Sequence, residues 1–357
     1  MRTKIGVAIA GLGFGKSVHI PAINSVESFA LQALWHPSKK KLDPAIREQK
    51  IPGYTDWEEL LHQREIEALI ITTPPAPRFE LAYTALEAGK HLLLEKPVGL
   101  SSEEIQKLLK LSMKKNLSVA VNFEYRAVPL FMEAKRLIEE GFVGKPWLVK
   151  LDWLMGGRAD SSRKWNWYSN KDEGGGVIGA LGTHAFDILH WLIGPSDNIR
   201  GKISTSITER HCLETDSLKK VNSEDVALAH LDLTSNETGL KIPAQLSLSS
   251  TSRNGRGCWI EIYGEDGNLL LGSSNQKDYV HGFGLWGAKG KEELKSINPS
   301  ENVTFKSTWS DGRVAPVARL QNWWGQSIKG DLPMIPGLYE GLESQRACEA
   351  LKKSSDA

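Results

Sequence analysis

"KIGVAIAGLGFGKSVHIPA" (residues 4–22) runs from a strand-like stretch, uncharged after Lys4, directly into a glycine-rich turn and then a helix. Residues 5–10 are apolar on both alternations, the pattern of a strand covered on two faces. Gly11 and Gly13 permit the tight turn and the close backbone approach that a pyrophosphate requires. The helix beginning near Lys16 turns its N–H groups toward the phosphate charge. The third glycine of the dinucleotide fingerprint would fall at position 16, which is Lys16, with Gly15 beside it. Strand, turn and helix in that order predict the phosphate-binding start of a doubly wound α/β domain.

Working outward, strand-like runs recur at 29–35, 67–73, 91–95 and 117–121. Helical segments such as "FELAYTALEAG" and "SSEEIQKLLKLSMKKN" lie between them, the second with a Ser/Glu start signal. Alternation of this kind predicts crossovers and a parallel sheet over residues 1–122. After residue 123 the pattern changes. A helix at 129–141 leads to a strand around "PWLVKLDWLM", a Trp-rich polar segment, and the glycine-rich "EGGGVIGALGTHAFDILHWLIG" (173–194). From about 200 to 275 the runs read as antiparallel strands with an Asp-Gly turn between the last two. A second domain over 123–335 follows, with an amphipathic tail helix at about 336–357 expected to pack back on the first.

The chain has 357 residues, and Lys+Arg (44) nearly balance Asp+Glu (43). Neither nucleic acid nor a membrane surface is suggested as a partner. No apolar run approaches the ~18 residues of a membrane span. Three scattered cysteines lack metal-ligand spacing, so the expectation is a reduced, cytoplasmic protein without a metal.

Two strand ends carry chemistry. The second strand ends "LWHPSKKK", with His36 where NAD-specific sheets usually hold an acid on the ribose hydroxyl, and Ser38, Lys39 and Lys40 at the next helix start. That favours NADP(H) over NAD(H). The strand "HLLL" ends in Glu95, Lys96 and Pro97. Ligands of doubly wound sheets sit outside the carboxyl ends of the strands, so Lys96 faces the cofactor cleft and can donate to a reacting oxygen or move a proton.

"LEAGKHLLLEKPVGLSSEE" resembles the strand-and-turn signature of the Gfo/Idh/MocA oxidoreductase family, the inositol dehydrogenase and glucose-fructose oxidoreductase relatives. "GLGFGKSVHIPA", "GYTDWEELL", "TTPPAPRFELAYTALEAGKH", "VNFEYRAVPLFMEAKRLIEEGFVGKPWLVKLDW" and "WNWYSNKDEGGGVIGALGTHAFDILHWLIG" are similar to further family segments, in the same order. The resemblance implies a Rossmann domain followed by a C-terminal α/β domain with a large, mostly antiparallel sheet. One face of that sheet would take a small-molecule substrate; the other would support a homodimer or homotetramer. Lys96 would be the active-site lysine, Glu95 its neighbour on the cofactor side, and His184 the substrate-facing histidine. Cofactor contacts are expected from Gly11, Gly13, Phe14, Gly15, Lys16, His36, Ser38, Lys39, Thr73, Pro74, Glu95 and Lys96. Substrate contacts are expected from Asn122, Tyr125, Trp165 and Asp187, the last three residues from His184 on one helix face.

One departure stands out. Many dehydrogenases of the family carry an aspartate four residues before the histidine, and here that position is Ala180. The expected activity is hydride transfer between a nicotinamide and a hydroxyl or carbonyl carbon of a sugar, sugar derivative or cyclitol. Reduction of a C=C or C=N bond in a planar substrate, or non-catalytic NAD(P) sensing, are the alternatives.

Overall fold

The computed structural model describes residues 4–275 and 281–355, which gather in two compact units. In chain order the helices are α1 (Ile20–Asn24), α2 (Lys39–Gln49), α3 (Trp57–Leu61), α4 (Pro75–Glu87), α5 (Ser102–Lys115), α6 (Pro129–Glu139), α7 (Thr183–Leu192), α8 (Val314–Ile328) and α9 (Leu338–Ser355).

The first unit comprises the chain up to Ala127 together with Ser307–Leu342. Its strands are β1 (Ile5–Ala10), β2 (Phe29–Trp35), β3 (Gly53–Tyr54), β4 (Ala68–Ile71), β5 (His91–Leu94) and β6 (Val119–Val121). They pair in the parallel order β3-β2-β1-β4-β5-β6. Because successive side chains point to opposite faces, each strand feeds two apolar layers. Ala8, Ala10, Leu69, Ile71, Leu92 and Leu94 share a cluster with residues of α4 and α5. Val7, Ile9, Ile70 and Leu93 join a second cluster with Ile23, Leu42 and, from α8, Val317, Leu320 and Trp324. Trp324 stacks on Phe29 with ring centres 5.0 Å apart. The expected boundaries of 1–122 and 123–335 do not anticipate α8 in this unit.

Local sequence explains the crossovers. In α5, Ser101 caps the first turn by accepting from the Glu104 N–H at 3.2 Å. Glu103 and Glu104 lie at its positive end and Lys114 and Lys115 at its negative end, and Asn116 closes it in the left-handed region.

The second unit holds Val128–Lys306 and the chain from Glu343. Its strands are β7 (Pro146–Leu154), β8 (Ser196–Ser204), β9 (Glu209–Cys212), β10 (Ser217–Lys220), β11 (Val226–Thr234), β12 (Lys241–Ser249), β13 (Gly257–Gly264), β14 (Gly267–Ser273), β15 (Gly284–Lys289) and β16 (Lys295–Ser296). Eight of them form one sheet in the order β16-β15-β14-β13-β7-β12-β11-β8, parallel only between β7 and β12, while β9 and β10 pair separately. Helices α6 and α7 pack on this unit's sheet. The tail helix α9 is divided: Leu338 and Leu342 enter the first unit's core, whereas Ser354 and Ser355 accept backbone N–H bonds from Gly201 and Ile203 of β8. Among the described residues no helix is long and apolar enough to cross a membrane.

Candidate active site

The turn after β1 is built for close approach. Gly11 adopts φ +101°, and a Cβ there would lie 2.6 Å from Thr72 Oγ1. Gly13 is exposed, with nothing within 4 Å of an added Cβ, so the main chain is bare at the point where the turn faces out. Thr72 ties the turn to β4 by donating to the carbonyls of Ala10 and Gly11, each at 3.1 Å. A single π-turn (Gly15–His19) then enters α1. Phe14 is pinned edge-on by His19 and carries the Arg313 guanidinium over its face, 5.0 Å from the ring centre. Lys16 pairs with Glu48 of α2 at 2.7 Å.

At the end of β2, His36 Nδ1 accepts the Ser38 N–H at 2.9 Å, which leaves the ring proton on Nε2. Burial, then Lys41, lowers the imidazole pKa, so the ring is held neutral as a donor. Ser38 caps α2 without using its hydroxyl on the helix, and Lys39 and Lys40 stand exposed in the first turn.

The carboxyl ends of β4, β5 and β6 converge on Glu95. Its Oε1 receives His19 Nε2 at 2.9 Å and Asn122 Nδ2 at 2.7 Å, and its Oε2 receives the Lys96 N–H at 3.2 Å. His19 in turn meets Gln321 of α8 through Nδ1 at 3.1 Å. Burial alone would raise the Glu95 pKa. The bond to His19 and the charges of His19, Lys96 and Arg78 outweigh it and hold the carboxyl below its ordinary value. Arg78, buried on α4, donates to the carbonyls of Glu95, Pro97 and Thr73, stapling the turn after β4 to the turn after β5. The Lys96–Pro97 peptide is cis.

A folded-state pKa held low contributes stability above the ordinary carboxylate range and loses it as pH falls through that range. Glu95→Gln is therefore expected to flatten the drop in Tm as pH falls from about 5 to about 3. Thermal melts across that window check it, and an unchanged acid limb counts against Glu95 as its source.

Two buried polar atoms beside this network, Thr73 Oγ1 and Asn122 Oδ1, have no hydrogen-bond partner among the described residues. A polar ligand edge over the ends of β4 and β6 would satisfy both. With the bare glycine turn, these residues fit a dinucleotide laid across the carboxyl edge of the sheet. Pro74 caps α4, and Tyr125 is buried in the 3-10 turn Glu124–Ala127 that follows β6.

In the second unit a π-turn (Ile178–Gly182) leads into α7, and Ala180 lies within it. His184 and Asp187 are both buried on α7, and the His184 ring lies 6.1 Å from that of Trp153. The Trp-rich segment is largely spent on itself. Arg158 lies over the Tyr168 ring at 3.3 Å, and burial pushes its pKa down to about 10 against the pull of Tyr168. Trp165 donates to the Lys220 carbonyl at 3.1 Å and carries Lys219 over its face, so the β9–β10 hairpin engages both its edge and its ring.

Within the first unit the structure thus groups Glu95, Lys96 and Asn122, while His184 and Asp187 sit together in the second. His19, Thr72, Arg78 and Gln321 escaped sequence reasoning. His19 stands inside the opening stretch and could have been found, being a histidine on the buried side of the phosphate helix. Gln321 is 302 residues from its partner and gives no local signal.

A bare glycine turn at the open carboxyl edge of a parallel sheet, with buried Glu95 followed by half-buried Lys96, defines a dinucleotide-binding domain. The pattern described as "Oxidoreductase family, NAD-binding Rossmann fold" matches residues 5–123, and "Oxidoreductase family, C-terminal alpha/beta domain" matches residues 135–357. The chain belongs to the Gfo/Idh/MocA oxidoreductase family. It is 39% identical over 350 residues to the uncharacterized oxidoreductase sll0816 of Synechocystis sp., covering 98% of this chain and 93% of that one. It is 26% identical to the scyllo-inositol 2-dehydrogenase (NAD(+)) of Bacillus subtilis, over 76% of this chain and 75% of that one. The fold superimposes on levoglucosan dehydrogenase in complex with NADH with a TM-score of 0.87 at 20% identity, over 99% of this chain and 97% of that one.

Proposed function

We propose that this oxidoreductase transfers hydride between a nicotinamide and a hydroxyl- or carbonyl-bearing carbon of a sugar, sugar derivative or cyclitol. The observation that carries the reading is Lys96 at the carboxyl end of β5, its backbone anchored on the buried Glu95. The bound nicotinamide supplies or accepts the hydride. Lys96 moves the matching proton at the substrate oxygen. Glu95, fixed by His19 and Asn122, holds the lysine's main chain in register with the end of the sheet. His184, with Asp187 on the same helix, hydrogen-bonds the substrate. Similarity to a scyllo-inositol dehydrogenase, and over a shorter span to a levoglucosan dehydrogenase, supports a polyhydroxylated substrate. Self-association through the larger sheet, where Leu148 of β7 and Leu228 of β11 are exposed, belongs to the same proposal. A panel of sugars, sugar acids and cyclitols run in both directions with each nicotinamide tests it; turnover confined to planar C=C or C=N substrates overturns it.

NADP(H) is the cofactor this chain would favour. His36 offers an Nε2 donor where an acid would repel a 2′-phosphate, and Ser38, Lys39 and Lys40 add an open hydroxyl and two cations at the start of α2. Each charge-assisted contact contributes roughly 1.5–3 kcal/mol, so NADPH should bind at least about tenfold tighter than NADH per contact. Calorimetric titration decides this, and equal or tighter NADH binding overturns it.

A further inference from the structure

Glu124 opens the 3-10 turn Glu124–Ala127, three residues beyond the last residue of β6. It is a carboxyl in the first unit that the proposed hydride transfer has not used, and it is only 4% exposed. Strand β6 adjoins β5, and Asn122, two residues before Glu124, already bonds Glu95 beside Lys96. Lys96, Glu95 and Arg313 all act on Glu124 through their charges. Arg126 lies on the same turn, and Arg319 of α8 donates to the Ala127 carbonyl at 2.9 Å, so cations also flank the turn's far end.

Two buried carboxyls therefore share the field of one lysine, and their surroundings drive them apart. Glu95 has His19 bonded to it and stays charged. For Glu124, burial dominates, the Lys96 charge opposes it, and the neighbouring Glu95 adds repulsion; the carboxyl is pushed up to about 7. A pair of acids so separated divides the work between a fixed anion and a proton carrier.

We propose that Glu124 is the carboxyl that exchanges protons with Lys96 during turnover, a relay group that acts through the lysine rather than on the substrate. The inference rests on Lys96 being the acid/base of the proposed reaction. In the reducing direction the carbonyl carbon takes the hydride from the bound nicotinamide, and the oxygen takes a proton from the Lys96 ammonium. The resulting amine then takes the proton of the Glu124 carboxylic acid, and the carboxylate recovers a proton from solvent before the next cycle. Oxidation runs the same transfers backwards.

The test has an arm without cofactor and an arm with it. Carboxyl-carbon NMR of the cofactor-free protein, labelled at glutamate, should show a side chain titrating near neutrality that is distinct from Glu224, whose carboxyl pKa is also raised by burial. That signal should vanish in Glu124→Gln and move to higher pH in Lys96→Met, which removes the opposing cation. If Glu124→Gln removes no near-neutral signal, or the signal it removes does not move in Lys96→Met, the proposal is overturned. Because a raised carboxyl pKa costs stability as pH rises from the ordinary value toward the folded one, Glu124→Gln should melt higher than the native chain at about pH 8 and lose that advantage near pH 5. In turnover, Glu124→Gln should lower kcat roughly tenfold to a hundredfold, below the ~10²–10⁴-fold of a group on the substrate. It should also erase the near-neutral limb of the kcat/KM profile and leave the nicotinamide Kd within about twofold, with Glu124→Asp restoring part of kcat. An unchanged profile overturns the relay. If no substrate turns over but the titration behaves as stated, the coupled pair stands and the sugar reaction assigned to it falls.

Discussion

Lys96→Met is expected to bind nicotinamide dinucleotide within about twofold of the native chain and to turn over about 10²–10⁴ times more slowly. Methionine keeps most of the length of the lysine side chain and removes its exchangeable protons. The surrounding scaffold survives the change, because the bonds that hold the turn use the Lys96 main chain and other residues: its N–H to Glu95, and Arg78 to the carbonyls of Glu95 and Pro97. Glu95 loses one favourable charge but keeps His19 and Arg78. Cofactor titration and steady-state kinetics on the same preparation separate the two effects. Full kcat in Lys96→Met removes the lysine from the chemistry.

The second large effect is expected at the opposite end of the cofactor. Gly11→Val should weaken nicotinamide dinucleotide binding by a hundredfold or more and lower Tm by several degrees. A side chain at φ +101° is strained, on the order of 1–3 kcal/mol. Its Cβ would also meet Thr72 Oγ1 at 2.6 Å and the Thr72 carbonyl carbon at 3.0 Å. The hydroxyl could rotate; the main chain of β4's exit cannot. The turn must shift away from Thr72, and about 2.7 kcal/mol of lost binding corresponds to a hundredfold. Gly13→Ala is the internal comparison, since it meets no atom of the protein. A loss at Gly13 with folding intact reports contact with the ligand, whereas unaltered binding by Gly11→Val would show that the turn does not hold it.

Much of the fold is legible because it is local. Each apolar run of the first unit became a strand within a residue or two, and Ser101 capped α5 as the "SSEE" signal requires. The order of the parallel sheet follows from crossovers of one hand. The antiparallel runs after 200 appear as β11 to β14, although their place beside β7 depends on a parallel pairing, β7 with β12, that joins residues 95 positions apart and has no local signature. The site divides the same way. Lys96 and Glu95 are legible because they end a strand of recognisable type. Arg78 reads as an ordinary helix arginine until three carbonyls are seen around it. Trp165 reads as a substrate contact, and the hairpin that engages both its edge and face comes from residues more than fifty positions on.

The return of the chain to the first unit has a bearing on its birth at the ribosome. Strands β1 to β6 are all made by Val121, yet the layer that covers Phe29, Val7 and Ile9 includes Val317, Leu320 and Trp324, which are translated about two hundred residues later. Until then one side of the nascent sheet lacks a large part of its apolar cover, and His19 lacks the Gln321 amide. The nucleotide-binding half, although first in sequence, is therefore completed only once residues beyond 300 have been made. A holdase that shields this face during synthesis would raise the yield of native protein more than one that acts on the completed chain.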